Sequence, residues 1–439
     1  MKKFSIYILI LTWAFASCKK DNNDTLFGER ADQRLNEAIT KYGEQLAGAQ
    51  YGWKAFLSTA QGESFGFYFQ FNNSNRVKMY SDFDGEFAVS SFESSYRLKA
   101  VQRPSLFFDT YSYLHVLADP DEGISGGDRG AGRYSDFEFS FDTVKTDSIK
   151  MTGTFMGSKL LLVRATKAEY DAYQAGALNV MIQSAENYAS ETPFSFVQIK
   201  DSKYETIISP EGRVLALAYQ ENNEDKFVKT SFAYAVNGLH LEKPVTLNGV
   251  TFDELLWDAS GKHYYIQAGT QRITVQASSS PTAPLSILLG MVYTSVVVPN
   301  GSGTNPLPGT SALFLKEYNA SKAAILAGPY RLTLKDMEFA FDASDKSMVI
   351  NAVVAQGATN FLATFTYSYK KTADGLFKFT PVSQNGNGGL IKNDMTLLKY
   401  IESDSFKVDY LKTDTGLLGK LSSTHVYPGG EFSFTGLLQ

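Results

Sequence analysis

Phe65-Gly66-Phe67-Tyr68-Phe69-Gln70-Phe71 decides the fold class. Four phenylalanines recur at every second position, the period of a strand whose side chains point alternately to its two faces. A helix would scatter the same rings around its circumference. The alternation returns at Phe137, Phe139 and Phe141, separated by Glu138 and Ser140. Short strand-like runs lie around these stretches, at Val77–Tyr80, Ser95–Val101, Leu106–Asp109, Tyr113–Leu117 and Leu160–Val163. Asn72-Asn73, Asp84-Gly85 and a glycine-rich stretch separate them. Many short strands divided by turn residues predict a mainly β chain of antiparallel barrel or sandwich meanders, with helix a minor part.

Three helices punctuate the strands. Leu35, Ala38, Ile39, Tyr42 and Leu46 recur at spacings of three and four, one face of an amphipathic helix. Thr166 with Glu169 forms a capping box and opens a second helix, bent or broken near Gly176, toward Tyr188. A third helix is expected around Ser311–Leu326. Strands follow the second helix at Phe194–Ile199, Glu205–Ile208, Arg213–Tyr219, Phe227–Val236 and Tyr264–Gln267. Others follow the third, near Tyr330–Leu334, Met337–Phe341, Met348–Val354, Phe361–Tyr369 and Phe377–Thr380. An amphipathic helix thus precedes each of three meanders, without a residue-level repeat. The apolar run Leu285–Val298 is too short to span a bilayer and reads as core or a hairpin.

The N-terminus supplies an address. Lys2 and Lys3 precede an apolar run from Phe4 to Phe15, and Ala16-Ser17 then lead to Cys18. This is the plan of a secretory signal. A dozen helical residues reach roughly 18 Å, short of a hydrocarbon core of about 30 Å. Cys18 is the single cysteine of the chain, which excludes a disulfide framework and a thiolate metal cluster. Phe15-Ala16-Ser17-Cys18 resembles the lipobox of bacterial lipoproteins, in which the cysteine becomes the acylated first residue; Phe15 stands where that pattern usually has leucine. Lys19-Lys20-Asp21-Asn22-Asn23-Asp24 reads as a tether, and similar starts mark surface-exposed lipoproteins of the Bacteroidetes. The expected organisation is a removed signal peptide (1–17), a lipid-anchored tether (18–30), an N-terminal β domain with its leading helix (31–165) and a second such domain (166–278). A linker with an apolar hairpin (279–311) and a C-terminal β domain (312–439), able to pack with 166–278, complete it.

A wider resemblance rests on Phe232-Ala233-Tyr234-Ala235-Val236-Asn237-Gly238-Leu239-His240-Leu241-Glu242-Lys243-Pro244, on Leu247-Asn248-Gly249-Val250 and on Phe252-Asp253-Glu254-Leu255-Leu256-Trp257. Gly52-Trp53-Lys54 and Phe108-Asp109-Thr110-Tyr111 add to it. Together with the lipobox these residues resemble the Bacteroidetes lipoproteins grouped as domain of unknown function 4302, over roughly residues 18–270. The resemblance implies a cell-envelope context beside a TonB-dependent transporter and a substrate-binding lipoprotein, and brings no catalytic residues. As chemistry, the motif reads as scaffold: Phe232 and Tyr234 share a strand face, Asn248-Gly249 suits a tight hairpin, and Trp257 fills a core edge.

Candidate chemistry is sparse. Gly123-Ile124-Ser125-Gly126-Gly127 fits G-x-S-x-G, but no helix follows to make a nucleophile elbow, so a hairpin loop is expected. Asp119, Asp121, Glu122 and Asp128, or Asp82, Asp84 and Glu86, could gather a calcium ion, without EF-hand spacing. Asp82 and Asp84, about 6.6 Å apart along a strand, could be read as a glycosidase pair, but Asp84-Gly85 signals a turn. His240 with Glu242, approached by His263, would be needed for a two-His-one-carboxylate centre; His115 and His425 complete the histidines. The expected site therefore holds no catalytic residue, metal or cofactor, and Cys18 is the one modified position.

Forty-one basic against 46 acidic residues give a net charge of −5, which carries no footprint for nucleic acid. Aromatic residues make up 14%, and outward-facing rings such as Tyr111, Tyr113, Tyr264 and Tyr265 would suit sugar stacking or a protein interface. The expected protein is a non-catalytic envelope lipoprotein, a binding or accessory component of outer-membrane nutrient uptake, anchored by lipid and exposed at the cell surface or on the periplasmic face. Its ligand, a small molecule or glycan, is not specified by the sequence. A surface hydrolase whose site assembles only in the fold, or a structural or adhesive surface protein, are the alternatives.

Overall fold

The alternating runs pair with their sequence neighbours and close on themselves. In the computed structural model, which describes residues 31–100, 103–222, 224–414 and 416–439, they form three closed antiparallel barrels of eight strands each. Segments 1–17 and 18–30, with Cys18, lie outside the described residues. Closure removes the two free edges that an open sheet would present, and eight strands leave an interior just wide enough for side chains.

The first barrel runs from β1 (Trp53–Ser58) through β2 (Ser64–Phe71), β3 (Arg76–Ser81), β4 (Phe92–Ala100), β5 (Pro104–Phe108), β6 (Glu138–Val144) and β7 (Ser148–Gly153) to β8 (Lys159–Arg164). It closes by pairing β1 with β8, Leu57 opposite Leu160. Phe65, Phe67, Phe69 and Phe71 all enter its core, with Trp53, Phe108, Phe139 and Leu162. On the opposite face of β2, Tyr68 is buried as well. Tyr173, from the helix Lys167–Gln174, stacks on it at 4.8 Å, and the Tyr68 hydroxyl donates to the Tyr51 carbonyl at 2.8 Å. That helix starts with the Thr166–Glu169 capping box and stops before Gly176, whose φ of +76° breaks it from Ala177–Glu191.

The second barrel comprises β9 (Ser195–Ile199), β10 (Ser202–Ser209), β11 (Val214–Glu221), β12 (Glu224–Ala235), β13 (Gly238–Leu247), β14 (Val250–Asp258), β15 (His263–Ala268) and β16 (Gln271–Ala277), closed by β16 on β9. Asn248 and Gly249, at φ +47° and +86°, make the two-residue turn between Leu247 and Val250. Phe232 and Tyr234 are both buried, with their rings 5.3 Å apart. Trp257 is half-buried against Tyr264 and Tyr188.

The third barrel holds β17 (Ser295–Val298), β18 (Thr333–Asp342), β19 (Ser347–Gln356), β20 (Thr359–Lys371), β21 (Phe377–Gln384), β22 (Ser405–Thr413), β23 (Gly416–Tyr427) and β24 (Gly430–Leu438), closed by β24 on β17. Phe339, Phe365, Phe379, Phe406 and Phe434 fill it. The chain divides at Asn179–Val180 into two compact units, so the second and third barrels share the second unit.

Three local expectations are corrected. Tyr113–Leu117 is a helix, not a strand, because its Leu114 and Leu117 turn into the first core. The apolar run Leu285–Val298, read as core or a hairpin, is core and not a hairpin: it supplies a one-turn helix, Leu285–Leu288, and then β17, with Leu285, Leu289, Val296 and Val298 buried. The segment read as a linker thus contains the first strand of the third barrel. The helix Ala312–Ala327, capped by Ser311, consequently lies between β17 and β18 instead of ahead of the sheet.

Candidate ligand-binding surface

The connection between β5 and β6, residues 109–137, is the longest in the first barrel and carries most of the residues singled out by the sequence. Ser112 sits at the N-cap of the helix Tyr113–Leu117, and its hydroxyl lies 3.0 Å from His115 Nδ1. This contact fixes the imidazole between two rings. Tyr111 stacks on one side at 5.7 Å and Phe137 on the other at 4.4 Å. Tyr111 is 54% exposed and Phe137 44%. The Tyr111 hydroxyl is in turn held by Asp119 Oδ2 at 2.5 Å. Burial, then this hydrogen bond and the carboxylate charge, push the phenol up to about 12. The other end of the pair holds the Asp119 carboxyl below its ordinary range.

The result is a short column of flat groups with both end rings about half open to solvent, Tyr111 held by its hydrogen bond to Asp119 and Phe137 by its stack on His115. His115 is neutral at pH 7: burial lowers its pKa, against a backbone hydrogen bond to Phe108 and the Asp109 charge. Beside the column, Arg97 pairs with Asp109. Residues 109–138 carry seven acids, of which Asp136 is buried, and two arginines, so the exposed rim is acidic. A second stack, Tyr113 on Phe87 at 3.9 Å, backs onto Phe92 and Phe83.

The hairpin between β7 and β8 stands next to this face in register. Phe139 pairs with Gly153, and the Thr154 N–H donates to the Glu138 carbonyl, so the same register continues toward Phe137 and Phe155. Phe155 is 87% exposed.

The remaining candidates resolve as structure. Ser125 lies in the one-turn helix Glu122–Ser125, fully buried, donating to the Asp121 carbonyl at 3.0 Å. No helix follows it, so the elbow is absent; the expected hairpin loop is this turn of helix closed by the Asp128–Gly132 bridge. Asp121 caps Gly123 N–H, Asp128 accepts from Tyr134, and Asp84 caps Phe87 N–H at the start of a short helix, not a hairpin turn. Asp82 is buried where Asp84 is not, so the two carboxylates do not share a cleft. Among the described residues no three or more His, Cys, Asp or Glu side chains gather closely enough to hold a metal ion. His240 pairs across strands with Glu254 at 3.6 Å, whereas Glu242 pairs with Lys243, and His263 lies beside Asp258 and Arg272.

Ser423, His425 and Asp404 meet on the third barrel, a grouping not visible in the sequence. The Ser423 hydroxyl donates to Asp404 at 2.5 Å, and Tyr427 donates to the same carboxylate at 2.7 Å. The His425 ring packs edge-on against Tyr427 instead of bridging serine to carboxylate, so the order of a catalytic triad is missing. Tyr264, expected outward, is completely buried under Tyr188 and Trp257; Tyr111 is the outward one, and Tyr113 and Tyr265 are half-buried.

Comparison with known proteins places the chain. The family model "Domain of unknown function (DUF4302)" matches residues 23–259. The chain belongs to this family. The DUF4302 match takes in the whole first barrel and its aromatic face, runs through β14 of the second barrel, and leaves the third barrel outside. No curated protein matches the chain. A DNA polymerase sliding clamp from Pseudomonas aeruginosa is similar at 9% identity, covering 92% of this chain and 97% of its own, with a TM-score of 0.11. The isotype 1 transferrin binding protein B from serogroup B Neisseria meningitidis is similar at 10% identity, covering 86% and 66%, with a TM-score of 0.13. Scores this low carry no functional argument.

Proposed function

We propose that this member of the DUF4302 family is a non-catalytic accessory lipoprotein of the cell envelope. Cys18 carries the lipid after removal of residues 1–17, and the anchored body serves outer-membrane nutrient uptake from the cell surface. The observation that carries a binding role is the Tyr111–His115–Phe137 column: two half-exposed rings stacked on one histidine present adjacent flat apolar surface that a ligand can cover. Rings held by such contacts bury area on binding at little entropic cost. The acidic rim disfavours anions and offers acceptors to hydroxyl groups, which suits a neutral, hydroxyl-rich ligand such as a glycan.

Lipid anchoring supports this placement because several acyl chains hold a protein at a membrane where a single chain gives an association constant of only about 10⁴ M⁻¹. The test is affinity purification of the tagged protein from detergent-solubilised envelopes. Co-recovery of a TonB-dependent transporter or its substrate-binding lipoprotein is the expected result. Loss of that recovery and of radiolabelled palmitate in Cys18→Ala would tie it to the anchor. Recovery of neither partner by the wild-type protein would overturn the uptake assignment.

A further inference from the structure

Between the helix Ala177–Glu191 and the end of β14, the second unit holds a pocket of about 170 Å³. Drug-sized sites measure roughly 300–1,000 Å³, so this one has room for a single ring. One wall is a stripe of the helix. Ser184, Asn187, Tyr188 and Glu191 all line the pocket, and their spacing places them on one helix face. Tyr188 fixes the direction of that face, because its ring meets Trp257 edge-on at 5.9 Å. Asn187 and Glu191, beside it, are exposed.

The facing wall is Trp257, half-buried, with Lys262 from the far end of the β14–β15 turn. The indole is held from behind. The Trp257 backbone N–H donates to the Asn237 carbonyl at 2.9 Å, and the ring packs on Tyr264, its cross-strand partner, at 4.8 Å. Among the described residues, the Asn187 amide, the Glu191 carboxylate and the Lys262 ammonium make no hydrogen bond or ion pair within the protein. Asp258, next to Trp257, is already committed to Arg272 and to the Ser260 and Gly261 N–H groups. The lining thus carries one acid and one base, which together select neither an anion nor a cation.

We propose that this pocket binds a single neutral pyranose ring, its C–H side against the Trp257 indole and its hydroxyls toward Asn187, Glu191 and Lys262. The negative face of an aromatic ring attracts polarised C–H groups. Hydroxyls both donate and accept, and the edge of the pocket offers an acceptor in Glu191, donors in Lys262 and both in Asn187. The site belongs to the second barrel and stands independently of the aromatic column on the first.

Saturation-transfer difference NMR with the purified full chain tests it, using methyl β-D-glucopyranoside, methyl β-D-galactopyranoside and methyl α-D-mannopyranoside. Saturable transfer to at least one of them is expected. Asn187→Ala/Glu191→Ala removes two exposed side chains that hold nothing in the fold, and should weaken that binding about tenfold with circular dichroism unchanged. Trp257→Ala should abolish it. No saturable signal from any of the three glycosides, or an unchanged dissociation constant in Asn187→Ala/Glu191→Ala, would overturn the proposal. Loss of the signal in Tyr111→Ala/Phe137→Ala instead would overturn it while leaving the role of the column standing. Saturation by tetramethylammonium and by no glycoside would make the pocket a cation site and equally overturn it.

Discussion

Asp136, only 3% exposed, holds the backbone of Phe155, which is 87% exposed. One buried carboxylate accepts the N–H groups of Phe155 and Met156 at 2.8 Å each, the Ser158 N–H at 3.0 Å and the Ser158 hydroxyl at 2.6 Å. The most exposed aromatic of the first barrel is therefore carried on one of its most tightly bound turns.

Removing the clamp should be costly. Asp136→Ala strands three backbone donors and should destabilise the first barrel by about 3 kcal/mol or more. Gly153→Ala should act on the same clamp, since its Cβ would fall 2.0 Å from Asp136 Oδ2. Urea denaturation followed by Trp53 fluorescence measures both, and an effect under about 1 kcal/mol would refute the clamp.

The aromatic column should bind without supporting the fold. Tyr111→Ala and Phe137→Ala should each weaken ligand retention roughly three- to tenfold while leaving the melting temperature within a few degrees. Affinity electrophoresis through gels containing soluble neutral polysaccharides reads the retention. Unchanged migration of both variants, where the wild type is retarded, would remove the column from the site.

Stability should depend on pH through His115. Its ordinary value is 6.5 and burial lowers it in the folded chain, so below 6.5 the unfolded chain takes up a proton that the folded one refuses. Stability therefore falls as pH drops from 6.5 toward the lowered value. His115→Phe keeps a ring in the stack and removes the titration, so the wild type should lose ground to this variant between pH 7.5 and 5.5. A constant difference in melting temperature would contradict the burial argument.

Glu205 should give the opposite slope. It is 2% exposed on β10, accepting from Thr282 N–H at 2.5 Å, Thr282 hydroxyl at 2.6 Å and Ala283 N–H at 3.3 Å. Burial raises its pKa, more than these hydrogen bonds lower it. A raised carboxyl favours folding below its unfolded value and loses that contribution as pH rises through the folded one. Glu205→Gln should thus gain on the wild type from pH 4.5 to 8 in thermal melts. No change in their difference would show that the carboxyl is not desolvated.

Much of this architecture was legible because strand period, caps and turns are local. Phe65 to Phe71, the Thr166–Glu169 box, Ser311 before its helix and Asn248-Gly249 each act through neighbours in sequence. The alternations Phe406-Lys407-Val408 and Phe432-Ser433-Phe434 carry the same signal and become β22 and β24. Tyr113–Leu117 misleads because five apolar-rich residues satisfy either period, and contact with the first core arbitrates. Tyr264 shows the same limit: its burial depends on Tyr188, more than seventy residues away.

Sequence alone determined the strand class, the positions of the main helices and a lone cysteine at Cys18, since each is set by residues within a few positions of one another. Tertiary structure decided that the meanders close as barrels, because pairing β1 with β8, β9 with β16 and β17 with β24 joins strands that no local pattern connects. It also decided the aromatic face: Tyr111, His115 and Phe137 become one column because the β5–β6 connection folds back on itself, bringing Phe137 beside a ring more than twenty residues earlier in the same connection.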